Sequence, residues 1–166
     1  MRACRPDDSP ALLTELLADL SPFWGERDMR WLHQPVWAHQ FGRDALVVRD
    51  AGVLAGYLLG AAPAGGVAYV NAVATRDSHR GRGVGRLLYE AFLVTCRARG
   101  VTRVEAITGV DNVGSRAFHA RLGFDEQVVP DYAGPGLDRV LFRLALTDPD
   151  QLSTSASGSP YSCPGE

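Results

Sequence analysis

The sequence predicts an α/β (α+β) domain built on a mixed central sheet with helices on both faces, and three observations carry that prediction. The run ALVVRDAGVLAGYLLG, residues 45–60, reads as two apolar strands around an Asp50-Ala51-Gly52 turn, the pattern of an antiparallel hairpin. A strand-like Val67–Thr75 is followed by a glycine-rich loop, an apolar-periodic helix and the strand-like VTRVEAIT, the order of a β-α-β crossover. A second short helix then leads into two closing strands. Hairpins mixed with crossovers imply a sheet that is neither purely parallel nor purely antiparallel.

The elements follow as β-α-α-β-β-β-α-β-α-β-β. Asp7, Asp8 and Ser9 offer N-caps, Pro10 suits a first helical turn, and Leu12, Leu13, Leu16, Leu17 and Leu20 share one face, so residues 10–20 read as an amphipathic helix. Residues 24–40 carry Trp24, Trp31, Leu32 and Trp37 in a mainly helical pattern broken at Pro35. After the hairpin and Val67–Thr75, the residues Leu87, Leu88, Ala91, Phe92 and Thr95 recur at helical spacing, and Gly100 ends that helix. Ser115 to Leu122 forms a short helix capped by Gly123, and strands at 124–129 and 139–146 flank a Pro-Gly-rich turn at 133–136. The segment TDPDQLSTSASGSPYSCPGE, residues 147–166, has almost nothing to bury and reads as a disordered tail, which leaves residues 1–146 as one domain.

Composition narrows the function classes. A net charge of −2 gives no global field favouring nucleic acid or an anionic membrane surface. All 17 basic residues are arginine, so lysine bases and Schiff-base chemistry are excluded. Cys4, Cys96 and Cys163 are scattered and contain no C-x-x-C pair for zinc or redox exchange, so idle thiols and no metal site are expected. No apolar leader and no membrane-length apolar run is present, and a cytoplasmic location is expected.

The stretch HRGRGVGRLL, residues 79–88, alternates glycine with arginine at the start of a helix. It is not the G-x-x-x-x-G-K-[ST] phosphate loop, since no lysine follows. It is not the G-x-G-x-x-G dinucleotide fingerprint either, because the third glycine place falls on Arg86. A helix beginning near Gly83 nevertheless leaves its first N–H groups unpaired, and Gly81, Gly83 and Gly85 lack the Cβ atoms that would hold a ligand away from them. With Arg80, Arg82 and Arg86 around the same point, a diphosphate fits.

The segment R80-G-R-G-V-G85 resembles the R/Q-x-x-G-x-G/A signature of the GNAT acetyltransferase superfamily. N112-V-G-S115-R-A-F118-H119-A-R-L-G-F124 is similar to that family's second segment, usually N-x-x-[AS]-x-x-[FL]-Y-x-x-x-G-F. The resemblance covers residues 1–146. It implies a mostly antiparallel sheet whose two middle strands splay apart, and a coenzyme site for acetyl-coenzyme A. The diphosphate would lie on Gly81, Arg82, Gly83, Val84, Gly85 and Arg86, with Arg80 beside it. The pantetheine would run along the backbones of Val73, Ala74 and Thr75, with Asn112, Ser115, Phe118 and His119 contributing from the second segment. The implied activity is direct acetyl transfer to a primary amine of a small molecule or protein, the alternative being a non-catalytic acyl-coenzyme A-binding module of the same fold.

Such a transfer needs a neutral amine, a stabilised oxyanion and a proton for the departing thiolate. The family's usual tyrosine is replaced by His119, which is either a proton donor, about one-quarter protonated at neutral pH, or a packing residue beside Phe118. Asn71 cannot be a base but is placed to hold a water; Glu105 is a candidate base if it points into the cleft, and Tyr132 could reach the acceptor. The aromatic segment 23–37 either lines the acceptor pocket, with His33 or Glu26 meeting the amine, or caps a core or a homodimer contact. Binding of nucleic acid through Arg76, His79, Arg80, Arg82 and Arg86 is disfavoured, because the patch is narrow and lacks interleaved aromatics.

Overall fold

The computed structural model describes residues 1–6 and 8–146. The expected tail at 147–166, including Cys163, lies outside the described residues, as does Asp7. Seven strands form one sheet in the order β1-β2-β3-β4-β5-β7-β6. They are β1 (Ala3–Cys4), β2 (Leu46–Asp50), β3 (Val53–Ala61), β4 (Val67–Thr75), β5 (Arg103–Gly109), β6 (Asp125–Val129) and β7 (Arg139–Ala145). Every neighbouring pair is antiparallel except β4 and β5, which are parallel and joined by a helical crossover. This is the mixed, mostly antiparallel sheet that the sequence predicts.

Helix α1 (Ser9–Ala18) is capped by the Asp8 side chain, which accepts from the Ala11 N–H, and Pro10 occupies its first turn. It buries Leu12 and Leu16 with Phe23, Tyr57 and Leu59 on one face of the sheet. The long crossover helix α4 (Val84–Ala98) covers the other face, burying Leu88, Tyr89, Phe92 and Cys96 against Val70, Val104 and Phe142. Helix α5 (Val113–Arg121) packs beside it; it starts two residues earlier than the sequence suggests, because the Asn112 side chain caps it by accepting from the Ser115 N–H.

One expectation fails between α1 and β2. The single broken helix expected at 24–40 is instead α2 (Ser21–Trp24), a 3-10 turn at Arg30–Leu32 and α3 (Val36–His39). Pro22 and Pro35 each start a helix, and Gly25 leaves α2 with φ at +61°, a left-handed angle that ends it after one turn.

The feature that creates a site lies at the sheet's centre. β4 and β5 pair only from Val67↔Arg103 to Val70↔Ala106, although β4 continues to Thr75 and β5 to Gly109. The register of β4 against β3 jumps at the same level, Leu59 facing Ala72 and Gly60 facing Val70, so Asn71 is the extra residue of a β-bulge. A bulge bends its strand and increases its twist. The upper half of β4 therefore leaves β5, and backbone groups along both strands are left without sheet partners.

Candidate active site

The splay opens into a cleft of about 1120 Å³ that runs from the glycine loop, between β4 and β5, to the aromatic segment. Of the residues expected to bind the coenzyme, all but Arg82 line it, as does Asn71. Gly83 is the N-cap of α4, with φ at +80° and no side-chain cap, so the N–H groups of Val84, Gly85 and Arg86 have no intrahelical acceptor. Gly81 is likewise left-handed, at +73°, and a Cβ added at either glycine would meet no atom within 4 Å. The loop is thus an open cradle of unpaired donors at the positive end of a 15-residue helix, a donor set suited to a diphosphate. Val84 itself is buried in the core, so only its backbone faces the loop.

The arginines differ from one another. Arg80 forms an ion pair with Asp77 at 2.7 Å and donates to the Phe23 carbonyl, tying the loop to α2. Arg86 pairs with Glu90 one turn along at 2.7 Å. Gly85 lets Phe118 pack against the helix, since a Cβ there would approach the ring to 3.1 Å.

His119 is buried in a different way from that expected of a free acid. Its ring stacks on Phe142 with centroids 4.0 Å apart, and its Nδ1 lies 2.8 Å from the Ser115 carbonyl, which can only accept. Nδ1 therefore carries the proton, and Nε2, 2.7 Å from the Tyr89 hydroxyl, accepts from it. Burial pushes the His119 pKa below its ordinary value, partly opposed by the bond to Ser115. The lowered pKa and the accepting Nε2 both favour the neutral ring over the partly protonated one expected. Tyr89, absent from the sequence reading, is a fully buried tyrosine that lines the cleft along with Tyr69 and Tyr132; burial pushes its pKa well up, so it is a neutral phenol. Among the described residues nothing else hydrogen-bonds that oxygen.

The other candidates are sorted by their contacts. Asn71 donates from Nδ2 to the Leu32 carbonyl at 2.7 Å, which ties the bulge to the aromatic segment. Asn112 is similarly engaged, capping α5 and donating to Thr108 Oγ1 at 2.9 Å. Glu105 is held between Arg103 and Arg143 at 2.8 and 3.2 Å and does not line the cleft, which removes it as a base. His33 is also removed: it is 2% exposed, with Nδ1 on the Met29 carbonyl and Nε2 on the Tyr57 hydroxyl. Glu26 lines a separate small groove. Trp24 and Trp31 border the cleft with Tyr132, whereas Trp37 packs on Tyr69 and Phe41. Cys96 is buried, and burial pushes its thiol up to about 11, as suits an idle thiol. Among the described residues no group of three or more His, Cys, Asp or Glu could hold a metal, and no helix is long and apolar enough to cross a membrane.

Comparison with known proteins adds to this geometry. The model of the acetyltransferase (GNAT) family matches residues 11–124. The L-methionine sulfoximine/L-methionine sulfone acetyltransferase of Pseudomonas paraeruginosa is 26% identical over 123 residues, 69% of this chain and 72% of that protein. Among solved structures, the ribosomal-protein-alanine N-acetyltransferase of Brucella melitensis superposes with a TM-score of 0.63 at 24% identity, covering 88% of this chain and all of that one. A Salmonella typhimurium acetyltransferase solved with its cofactor acetyl-CoA gives 0.64 at 20% identity, covering 98% and 99% of the two chains. At these identities the structures speak for the fold.

Proposed function

The chain belongs to the acetyltransferase (GNAT) family, an acyltransferase that uses acetyl-coenzyme A, and from that premise we propose that it acetylates a primary amine of a small molecule or protein by direct attack of the amine. The observation that carries this reading is the splay: an unpaired strand edge, Asn71–Thr75, beside an uncapped helix N-terminus, both opening on one cleft. In the coenzyme pose, the N–H groups from Gly81 to Arg86 hold the diphosphate, and the free backbone groups of Val73–Thr75 take the amides of the pantetheine arm. Acetyl-coenzyme A supplies an acetyl thioester whose sulfur leaves as a thiolate. Asn112 and Ser115 shape the wall by fixing α5, and Phe118 closes it over Gly85.

The proton traffic falls to Tyr89, with His119 as its positioning residue. His119 Nε2 holds the hydroxyl proton and so turns the oxygen lone pairs elsewhere. A buried phenol cannot keep a net negative charge, as its raised pKa states. It can act as a relay once the hydroxyl rotates off His119: the oxygen takes the surplus proton of the attacking amine on a lone pair as its own proton passes to the departing sulfur, which leaves a neutral phenol and a thiol. Asn71 holds the Leu32 turn over the acceptor end through Nδ2, and its Oδ1 is the atom that would order a water.

Gly83→Val tests the pose. A β-branched side chain at a left-handed φ is strained and fills the cradle. Coenzyme affinity by calorimetry is expected to drop at least about tenfold, the loss of one or two charge-assisted hydrogen bonds, while helical circular dichroism is retained. Unchanged affinity would sink the pose, and tight coenzyme binding with no thiol release across an amine panel would favour a binding module instead.

A further inference from the structure

The cleft's acceptor end is lined by arginines that form no ion pair among the described residues. Arg139 opens β7 opposite Gly109, the last residue of β5, at the wide end of the splay. Phe142 stacks on His119 on the α4 side, so strand alternation turns Arg139 to the other side, toward the aromatic segment. It is half-buried and lines the cleft. Arg27 reaches the same end from the α2 side, its guanidinium 5.5 Å from the Trp24 ring centroid. Neither has a carboxylate within 4 Å among the described residues; Arg139 donates only to the Asp138 carbonyl.

The nearby acids are engaged elsewhere. Asp138 accepts from the Asp131 N–H with its side chain, Glu105 is clamped by two arginines, and Asp28 accepts from the Arg30 N–H. Asp111, beside the α5 cap, is the sole carboxylate among the cleft's described lining residues. An acceptor carrying several ammonium groups would meet arginines and aromatic faces here, a repulsive surface. A half-buried guanidinium whose one bond among the described residues is to a backbone carbonyl has donors left for an anion, and its planar fork suits a carboxylate.

We propose that the acceptor is an amino acid with a free carboxylate and an apolar or polarisable side chain: Arg139 binds the carboxylate, Arg27 stands at the mouth, and Trp24, Trp31 and Tyr132 flank the side chain. This deepens the acetyltransferase reading and rests on it. The test compares acetylation of methionine, leucine and tryptophan with their primary amides, and with spermidine as a polycation. The acids are expected to exceed their amides in kcat/KM by about 10- to 100-fold, the range of a charge-assisted pair. Arg139→Gln should bring that ratio close to one with the KM for acetyl-coenzyme A unchanged, and Arg139→Lys should restore part of it.

A melting curve checks that both variants fold. Chemical-shift perturbation by N-acetylmethionine, a product that cannot react, should reach Arg139 in the native chain and vanish in Arg139→Gln, a readout independent of turnover. Equal use of acids and amides, or faster use of spermidine, overturns the proposal and leaves the transferase reading standing. Coenzyme binding without acetylation of any acceptor overturns both.

Discussion

Two tyrosine–histidine pairs sit on opposite faces of the sheet and share one construction. In each, histidine Nδ1 lies 2.8 Å from the carbonyl four residues earlier, Met29 for His33 and Ser115 for His119, and Nε2 lies 2.7 Å from a buried tyrosine hydroxyl. Burial lowers both histidine pKa values and raises both tyrosine ones, so all four groups are neutral. The difference is one hydrogen bond. Trp24 Nε1–H donates to the Tyr57 oxygen at 2.7 Å, giving that hydroxyl a donor as well as an acceptor, whereas no such donor reaches Tyr89, which lines the cleft. A satisfied hydroxyl anchors structure; one with an open lone pair at a cavity is available for chemistry.

Removing each hydroxyl sharpens the contrast. Tyr57→Phe strands both the Trp24 N–H and His33 Nε2, and urea unfolding should show a loss of about 2–6 kcal/mol, since each unpaired buried group costs about 1–3 kcal/mol. The folded fraction should keep nearly its full kcat. Tyr89→Phe strands only His119 Nε2, and its main effect should fall on turnover, a decrease of about 10- to 100-fold in kcat with coenzyme affinity retained. A Tyr89→Phe protein with native kcat, or a Tyr57→Phe protein equally slow, would erase the distinction.

The two pairs were not equally legible. The glycine loop and the second segment could be read from spacing because they depend on backbone shape, and glycine at Gly81 and Gly83 is the residue that left-handed angles demand. The hairpin could be read because its Asp50-Ala51-Gly52 turn is local. Tyr89 could not be distinguished from core, since it falls within the buried stripe of α4 with Leu88, Phe92 and Cys96. A tyrosine in an apolar stripe does require a partner for its hydroxyl, and His119 thirty residues on was the available one. His33 reads in the sequence as a residue that could meet the acceptor amine, because its burial depends on Tyr57 across the sheet, a contact with no sequence period. The Asn71 bulge was equally hidden, since a single extra residue leaves the strand's alternation intact on either side.

The smallest expected effect, and the one that treats both pairs alike, is the pH dependence of stability. Each histidine is held neutral, so between its lowered folded pKa and an unfolded value of about 6.5 the unfolded chain binds more protons. Stability contributed this way is complete above that unfolded value and is lost as pH falls through the folded one. Unfolding free energies measured from pH 8 to pH 5 should therefore be flat at first and decline in the acid half. In a titration followed by NMR, both imidazoles should protonate below the ordinary histidine value, with the proton on Nδ1 at neutral pH. Added coenzyme would divide the pairs: a ligand lodged against Tyr89 moves the titration of His119 and leaves that of His33 in place. If both shift together, or if His119 titrates at or above the ordinary value, the open lone pair has been assigned to the wrong face of the sheet.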